Sequence, residues 1–240
     1  AQLEASFSPR TKLLIFSSPN NPSGAMYSRT ELEALATVLR AHPHVWVISD
    51  EIYEYIQYGV EHVSIASLEG MWERTATVNG LSKGFAMTGW RLGYMGAPLE
   101  LAKACEKIQS QITSGASSIA QRAAIAALHA GPQPVQYMID AFTARRTLLA
   151  KALSEADKLV VKAPEGAFYL FVDASAYLSP SNPTALDLCM RLLEGGVAAV
   201  PGEAFGLDGY IRFSYAASEE DLRRAAERIV RTLNGLNSAS

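Results

Sequence analysis

The feature that most constrains this chain is a series of short apolar runs, each ending in polar or turn-forming residues. Three of these runs are KLLIF at 12–16, VWVIS at 45–49 and TATVN at 75–79. Runs of this length, bounded by turn residues, predict buried strands. Between the first two, Ser28 and Glu31 form a capping-box pattern that opens an amphipathic helix to about Arg40. Strands that alternate with helices predict a layered α/β fold with a mostly parallel sheet.

The order of elements changes near residue 133. A strand at 91–95 and helices at 99–112 and 119–130 precede a break at GPQP (131–134), and a long helix at about 135–157 follows it. Beyond this helix we predict strands at 159–162, 167–172, 197–200 and 210–215, and helices at 185–194 and 219–233. The predicted domains are therefore 1–133, part of a large ligand-binding domain, and 134–240, a smaller α+β domain that begins with the long helix.

Composition and charge exclude several classes of protein. The 240 residues carry a net charge of −3, which argues against nucleic-acid binding because contact with phosphates needs clustered Lys and Arg. No apolar stretch is long enough to span a bilayer, so we expect no membrane partner. The two cysteines, Cys105 and Cys189, fit neither a disulfide framework nor a metal-binding spacing. With no signal-peptide pattern at the N-terminus, we expect a cytoplasmic protein.

Polar side chains of six different kinds follow the predicted strands. They are Asn21 after the first strand, Asp50 and Tyr53 after the second, and Ser82, Lys83 and Arg91 after the third. Parallel strands bring their carboxyl ends to one edge of a sheet, where ligands bind. The set contains too few carboxylates for a metal site, and we expect all four histidines to lie away from this edge, so we predict neither a metal site nor a catalytic triad.

This set of groups matches pyridoxal 5′-phosphate (PLP) group by group. A lysine amine condenses with the PLP aldehyde, and an aspartate pairs with the pyridinium nitrogen. A phenol and an amide can hydrogen-bond the ring oxygen, while a hydroxyl and a guanidinium suit the phosphate.

Several motifs then resemble a known family. They are SPNNPSG (18–24), SDEIYEYI (49–56), NGLSKGFAMTGWRLGY (79–94), QSQITSGASSIAQ (109–121), PEGAFY (164–169), PGEAFG (201–206) and IRFSYA (211–216). In this order the motifs resemble the class I/II aminotransferases of PLP fold type I, in particular the bacterial aspartate and aspartate/prephenate aminotransferases. The resemblance covers essentially the whole chain. It implies PLP as cofactor, and transamination between an amino acid of the aspartate or glutamate type and a 2-oxo acid.

The resemblance also implies a role for each site residue. Lys83 would bind the PLP aldehyde and move a proton at the substrate Cα, and Asp50 would keep the pyridine nitrogen protonated. Tyr53 and Asn21 would hydrogen-bond the ring oxygen, and Asn21 would also contact substrate. Ser82 and Arg91 would hold the phosphate. Arg212 would clamp the substrate α-carboxylate through a bidentate pair.

Simpler interpretations exist for each of these residues. Asp50 could cap the segment that follows it, Tyr53 could be an ordinary core tyrosine, and Arg91 could make a surface ion pair of little energetic weight. Ser82 could be a small residue that needs no phosphate to explain it. Arg212 lies in the apolar run YIRFSY, where an unpaired guanidinium would be costly, so an anionic partner is expected.

The chain departs from the family pattern at its N-terminal side. Members of the family have an N-terminal portion with further strands and a phosphate-binding loop before the SPNNPSG-like motif. Here that motif begins at residue 18, so we expect this portion to be missing. We therefore expect a fragment with little activity alone, and a homodimer for the full-length form. Two alternatives share the motifs: a PLP-dependent carbon–sulfur β-lyase, and a non-enzymatic, aminotransferase-like sensor domain.

Overall fold

The computed structural model describes residues 2–237, which form two compact units. The first unit comprises residues 2–20 and 25–136, and the second comprises residues 21–24 and 137–237. The predicted domain boundary between residues 133 and 134 remains a prediction. Within the described residues, no helix combines the length and the apolar character needed to cross a bilayer.

The first unit is built on a four-stranded sheet of order β1-β2-β3-β4. The first three strands run parallel, and β4 is antiparallel to β3. The strands are β1 (Leu13–Ser17), β2 (Trp46–Asp50), β3 (Thr75–Gly80) and β4 (Gly93–Gly96). The helices are α1 (Gln2–Ser6), α2 (Arg29–Ala41), α3 (Leu99–Ile112) and α4 (Ser118–Ala130). The mixed α/β fold with a mostly parallel sheet is confirmed.

Two features of this sheet differ from the sequence prediction. The strand predicted at 91–95 forms at Gly93–Gly96, and its direction is antiparallel because the connection from β3 contains only a short 3-10 turn at Thr88–Trp90. A parallel neighbour would need a longer crossover connection. Between β2 and β3 the chain forms two 3-10 turns, Ile65–Ser67 and Trp72–Arg74, rather than an α-helix.

Helix α2 packs its apolar face on this sheet. Its buried residues are Leu32, Ala36 and Leu39, spaced by four and three positions as a helix face requires. They form one core with Val47 of β2 and with Met71. The predicted N-terminus of α2 is confirmed: the Ser28 side chain accepts a hydrogen bond from Glu31 N, and the Glu31 side chain accepts one from Ser28 N.

The second unit is an α+β layer. Its three-stranded antiparallel sheet has the order β5-β7-β6. The strands are β5 (Tyr169–Asp173), β6 (Val200–Pro201) and β7 (Tyr210–Ser214), and the helices are α5 (Gln136–Leu153), α6 (Ala185–Glu194) and α7 (Glu219–Asn237). Its buried side chains include Leu149, Leu170, Leu188, Ile211 and Ile229, one from each of five elements.

The capping box of α2 yields a stability prediction. Ser28→Ala should lower the free energy of unfolding by about 1 kcal/mol, because it leaves the Glu31 N–H without its side-chain acceptor. Urea denaturation measures this change. Ser117→Ala is the matched control, since Ser117 occupies the N-cap position of α4 without a side-chain capping bond. An equal loss in both variants would contradict the assignment.

Candidate active site

The carboxyl ends of β1, β2 and β3 lie side by side. In the parallel register Ser17 of β1 is paired with Asp50, and Asp50 is paired with Val78 of β3. The ladder continues for one more residue, because Glu51 N donates to Val78 O at 2.9 Å. Neighbouring strands are about 4.8 Å apart. Asp50 and the Ser82–Lys83 segment, which begins two residues beyond β3, therefore come from adjacent strand ends.

The Asp50 carboxylate is half-buried and uses one oxygen within the protein. Its Oδ1 accepts a hydrogen bond from Ile52 N at 3.1 Å, which closes a turn rather than capping an α-helix. Within the described residues its Oδ2 has no hydrogen-bond donor. Tyr53, three residues further on, is buried with 3% of its surface exposed. Asp50 thus retains one oxygen for an external donor.

The segment that follows β3 is a compact turn that links three of the predicted residues. Met87 N donates to Leu81 O at 3.0 Å, which closes a loop around the half-buried Ser82 and Lys83. Thr88 Oγ1 donates to Ser82 O at 2.9 Å, and Thr88 O accepts from Arg91 Nη1 at 3.1 Å. Thr88 therefore connects Arg91 to Ser82. Thr88 was not among the predicted site residues, although it lies inside the motif at 79–94.

Gly84 allows this turn to pack closely against Tyr55. A Cβ atom at residue 84 would lie 2.7 Å from Cδ2 and 3.0 Å from Cβ of Tyr55. Tyr55 in turn meets Phe85 edge-on, with ring centroids 5.0 Å apart. Burial, followed by the nearby Glu54 charge, raises the pKa of Tyr55 to about 12, so its hydroxyl stays protonated near neutral pH. The position of the Lys83 turn thus depends on the absence of a side chain at residue 84.

Asn21 and Arg212 meet in the second unit. Arg212 lies on the central strand β7, between Phe171 of β5 and Val200 of β6. Its Nη1 donates to Asn21 Oδ1 at 2.8 Å. Among the described residues no carboxylate forms an ion pair with Arg212, and its buried Nε has no hydrogen-bond partner. The expected anionic partner of Arg212 is therefore not a side chain of the described protein.

Two aromatic rings orient the Arg212 guanidinium. Its Cζ lies 4.5 Å from the ring centroid of Tyr169 and 5.0 Å from that of Phe205. Cation–π contacts at these distances favour the charged side chain and limit its movement. Tyr169 and Phe205 lie in the motifs at 164–169 and 201–206, but neither was predicted as a site residue.

Backbone hydrogen bonds join the motif at 18–24 to the motif at 164–169. The Gly24 carbonyl accepts from Glu165 N at 3.1 Å and from Gly166 N at 2.8 Å. Gly24 has a φ of +65°, and a Cβ there would lie 2.4 Å from the Pro164 Cβ. Glycine is required for this approach, and the contact keeps Asn21 in the same unit as Arg212.

A cluster of ionisable side chains lies beside Asp50. Glu51 is buried, and its Oε1 accepts from the hydroxyls of Ser49 at 2.8 Å and Ser64 at 2.7 Å. Its Oε2 lies 3.6 Å from His62 Nε2. Burial raises the pKa of Glu51 and that of Glu54, and it lowers the pKa of His62. The expectation that every histidine lies away from this edge is wrong for His62, because the turn at 51–62 folds back on the end of β2.

Comparisons with known proteins identify the family of this chain. The family model "Aminotransferase class I and II" matches residues 1–229. A bifunctional aspartate aminotransferase and glutamate/aspartate-prephenate aminotransferase of Petunia hybrida is 50% identical over 242 residues, which cover 96% of this chain and 50% of the relative. An aspartate aminotransferase of Rhizobium meliloti (strain 1021) is 47% identical over 246 residues, covering 98% of this chain and 60% of the relative.

Solved structures give the same result. The crystal structure of the aspartate aminotransferase from Rhizobium meliloti superposes with a TM-score of 0.92 at 46% identity, covering 97% of this chain and 60% of that one. The aspartate aminotransferase from Thermus thermophilus with maleate superposes with a TM-score of 0.89 at 42% identity, covering 96% and 59%. The chain thus spans 50% to 60% of the length of these relatives. It belongs to the class I and II aminotransferase family.

The contact between Gly84 and Tyr55 gives a prediction about the Lys83 turn. Gly84→Ala should lower the free energy of unfolding by about 1–3 kcal/mol, because the added methyl group overlaps the Cβ end of Tyr55, which cannot move away freely. Gly89→Ala is the matched control, since a Cβ at residue 89 meets nothing within 4 Å. Chemical denaturation that finds Gly84→Ala as stable as Gly89→Ala would refute this packing argument.

Proposed function

We propose that this chain is the PLP-binding part of an aminotransferase that exchanges amino groups between an amino acid of the aspartate or glutamate type and a 2-oxo acid. The observation that carries the proposal is the pairing of two adjacent parallel strands, one of which ends at Asp50 while the other is followed by Lys83. An acid and an amine held at one sheet edge are the two groups that the opposite ends of the PLP ring require.

The groups at this edge fit PLP chemically. Asp50 offers an oxygen without a protein donor, which suits the protonated pyridine nitrogen. Ser82 and Arg91, joined through Thr88, supply a hydroxyl and a guanidinium for the phosphate. Tyr53 would donate to the ring oxygen. When bound, PLP supplies an aldehyde that condenses with amines and a ring that withdraws electrons from the substrate Cα.

The residues of the chain then have distinct tasks. Lys83 Nζ would hold the cofactor at rest, and during the reaction it would take the proton from the substrate Cα and, as a general acid, deliver it to the cofactor. Asp50 would keep the ring nitrogen protonated, because a carboxylate beside a cation favours the charged form. Gly84 lets the turn that carries Lys83 pack against Tyr55, which limits the positions open to the amine.

Arg212 provides the substrate-binding charge. Its guanidinium is oriented by two aromatic rings and by Asn21, and within the described part of the chain it has no carboxylate partner. Planar guanidinium groups bind carboxylates in a bidentate manner. The α-carboxylate common to amino acids and 2-oxo acids therefore fits as its partner.

The relatives support a dicarboxylic substrate. Their names specify aspartate or aspartate/prephenate aminotransferases, and the Thermus thermophilus structure holds maleate, a dicarboxylate. We assign the same class of substrate to the protein that contains this chain.

A homodimer in a reducing, cytoplasmic environment completes the proposal. Helices α3 and α4 expose large apolar side chains, including Ile108 at 61%, Ile112 at 73% and Ile119 at 72% of their surface. Such a surface is typical of a protein–protein contact.

Both cysteines, Cys105 and Cys189, are free thiols, which supports a reducing compartment.

Replacement of Lys83 tests the cofactor assignment. Mixing PLP with the 240-residue chain should give the visible absorbance of a lysine-bound cofactor, and Lys83→Ala should abolish that band because it removes the amine assigned to the PLP aldehyde. Lys151→Ala, which removes an exposed lysine of α5, should leave the band unchanged. An unaltered band in Lys83→Ala would show that another amine holds PLP.

Replacement of Arg212 tests the substrate assignment separately. Arg212→Ala should weaken binding of a 2-oxo acid by about 30-fold or more, the effect of losing roughly 2 kcal/mol from a charged pair. The PLP absorbance should stay largely intact, because Arg212 is assigned to the substrate. The control Arg223→Ala removes an exposed arginine of α7. Loss of the PLP band in Arg212→Ala would contradict the carboxylate role.

A further inference from the structure

Three ionisable side chains beside the proposed cofactor site are not used by the transamination chemistry. Glu51, Glu54 and His62 each offer a ligand atom, and these atoms all lie within 4.8 Å of one another. Two of the three are deeply buried: 3% of the Glu51 side chain and 10% of the His62 side chain are exposed. Within residues 2–237, no lysine or arginine forms an ion pair with either glutamate. The cluster therefore places two acidic side chains in a largely buried position, with His62 as the basic group beside them.

The hydrogen bonds of the cluster leave one nitrogen unused. His62 donates a ring N–H to the backbone of Ser18. His62 Nε2 is buried and has no hydrogen-bond partner among the described residues, so the donor is Nδ1 and Nε2 carries the lone pair. That lone pair faces Glu51 Oε2. Two acceptor atoms that face each other require a positive charge between them.

The distance between these atoms distinguishes a proton from a metal ion. Glu51 Oε2 and His62 Nε2 are 3.6 Å apart, which exceeds the range of about 2.7–3.2 Å for a hydrogen bond to nitrogen. In a tetrahedral zinc site with bonds of about 2.0–2.1 Å, two ligand atoms are about 3.4 Å apart. The separation thus fits two ligands of one metal ion better than it fits a shared proton.

From this geometry we propose that Glu51, Glu54 and His62 bind one divalent transition-metal ion of the zinc type. One imidazole nitrogen and two carboxylate oxygens suit zinc, with water as the fourth ligand, whereas magnesium prefers oxygen ligands alone. The two negative charges balance the charge of the ion. The surrounding bonds orient the ligands: Ser49 and Ser64 hold Glu51 Oε1, and the Tyr55 and Asn79 side chains bind Glu54.

The ion would have a structural role. His62 lies on the segment after β2, Glu51 continues the β2 ladder, and Ser18 follows β1. A metal bound here would join the end of β2 to the turn at 51–62, and the hydrogen bond between His62 and Ser18 would extend this link to the end of β1. The site does not depend on the proposed aminotransferase activity, and neither proposal fails if the other does.

Zinc binding by the 240-residue chain provides the test. After treatment with a chelator, the chain is dialysed against graded zinc concentrations, and bound metal is measured by atomic absorption. We expect one zinc ion per chain, and an affinity at least about tenfold lower in His62→Ala and in Glu54→Gln. His44→Ala, which removes an exposed histidine elsewhere in the same unit, should bind as the parent does.

Two further measurements keep the proposal falsifiable if His62→Ala folds poorly. Circular dichroism identifies variants that remain folded, and the half-buried Glu54 makes Glu54→Gln the safer substitution. Bound cobalt should show the visible absorbance of a tetrahedral complex with a nitrogen ligand, and excess magnesium should not displace zinc. Unchanged zinc affinity in folded Glu54→Gln, or zinc binding lost only in His44→Ala, would overturn the proposal.

Discussion

The first unit depends on the parallel register of β1, β2 and β3. This register pairs Ser17, Asp50 and Val78 in one row across the sheet, so the residues that follow the strands leave it at a common edge. Helix α2 fixes the register from one side, because a slip of one residue would turn Val47 away from the core and put Trp46 or Ile48 in its place. The chemical groups at the edge are therefore positioned by apolar contacts far from the edge itself.

The second unit holds a charged guanidinium, that of Arg212, on the central strand of its sheet. Arg212 has strand neighbours on both sides, and its Nε is buried without a partner. An unsatisfied buried donor costs about 1–3 kcal/mol. The aromatic rings of Tyr169 and Phe205 and the amide of Asn21 offset part of this cost without neutralising the charge. Within the described residues, the Arg212 Nε still lacks an acceptor. A bound anion would supply the hydrogen bond and the opposite charge that the protein itself does not give to this guanidinium.

Local signals explain which parts of the fold could be predicted from the sequence. The apolar spacing and end signals of α3 and α6 gave their observed bounds, and the capping pattern gave the start of α2. The direction of β4 was not predictable, because it depends on a short connection rather than on strand composition. Likewise, no local pattern indicates that Asn21 contacts Arg212, 191 residues away. Contacts at such separations follow from tertiary packing, which periodicity does not encode.

The position of His62 beside the end of β2 could not be predicted from the sequence either, although the two lie close together in the chain. His62 lies twelve residues after Asp50 in a segment without α-helical or strand periodicity, so its return to the sheet could not be inferred. Successive residues of a strand point to opposite faces, and the ladder includes both Asp50 and Glu51. Ser49 and Glu51 share one face, as their hydrogen bond requires, and Asp50 points to the other. One strand end can therefore present a carboxylate to a cofactor on one face and a second carboxylate to His62 on the opposite face. The alternation lets the two groups lie side by side in sequence while they face the two separate sites that we propose.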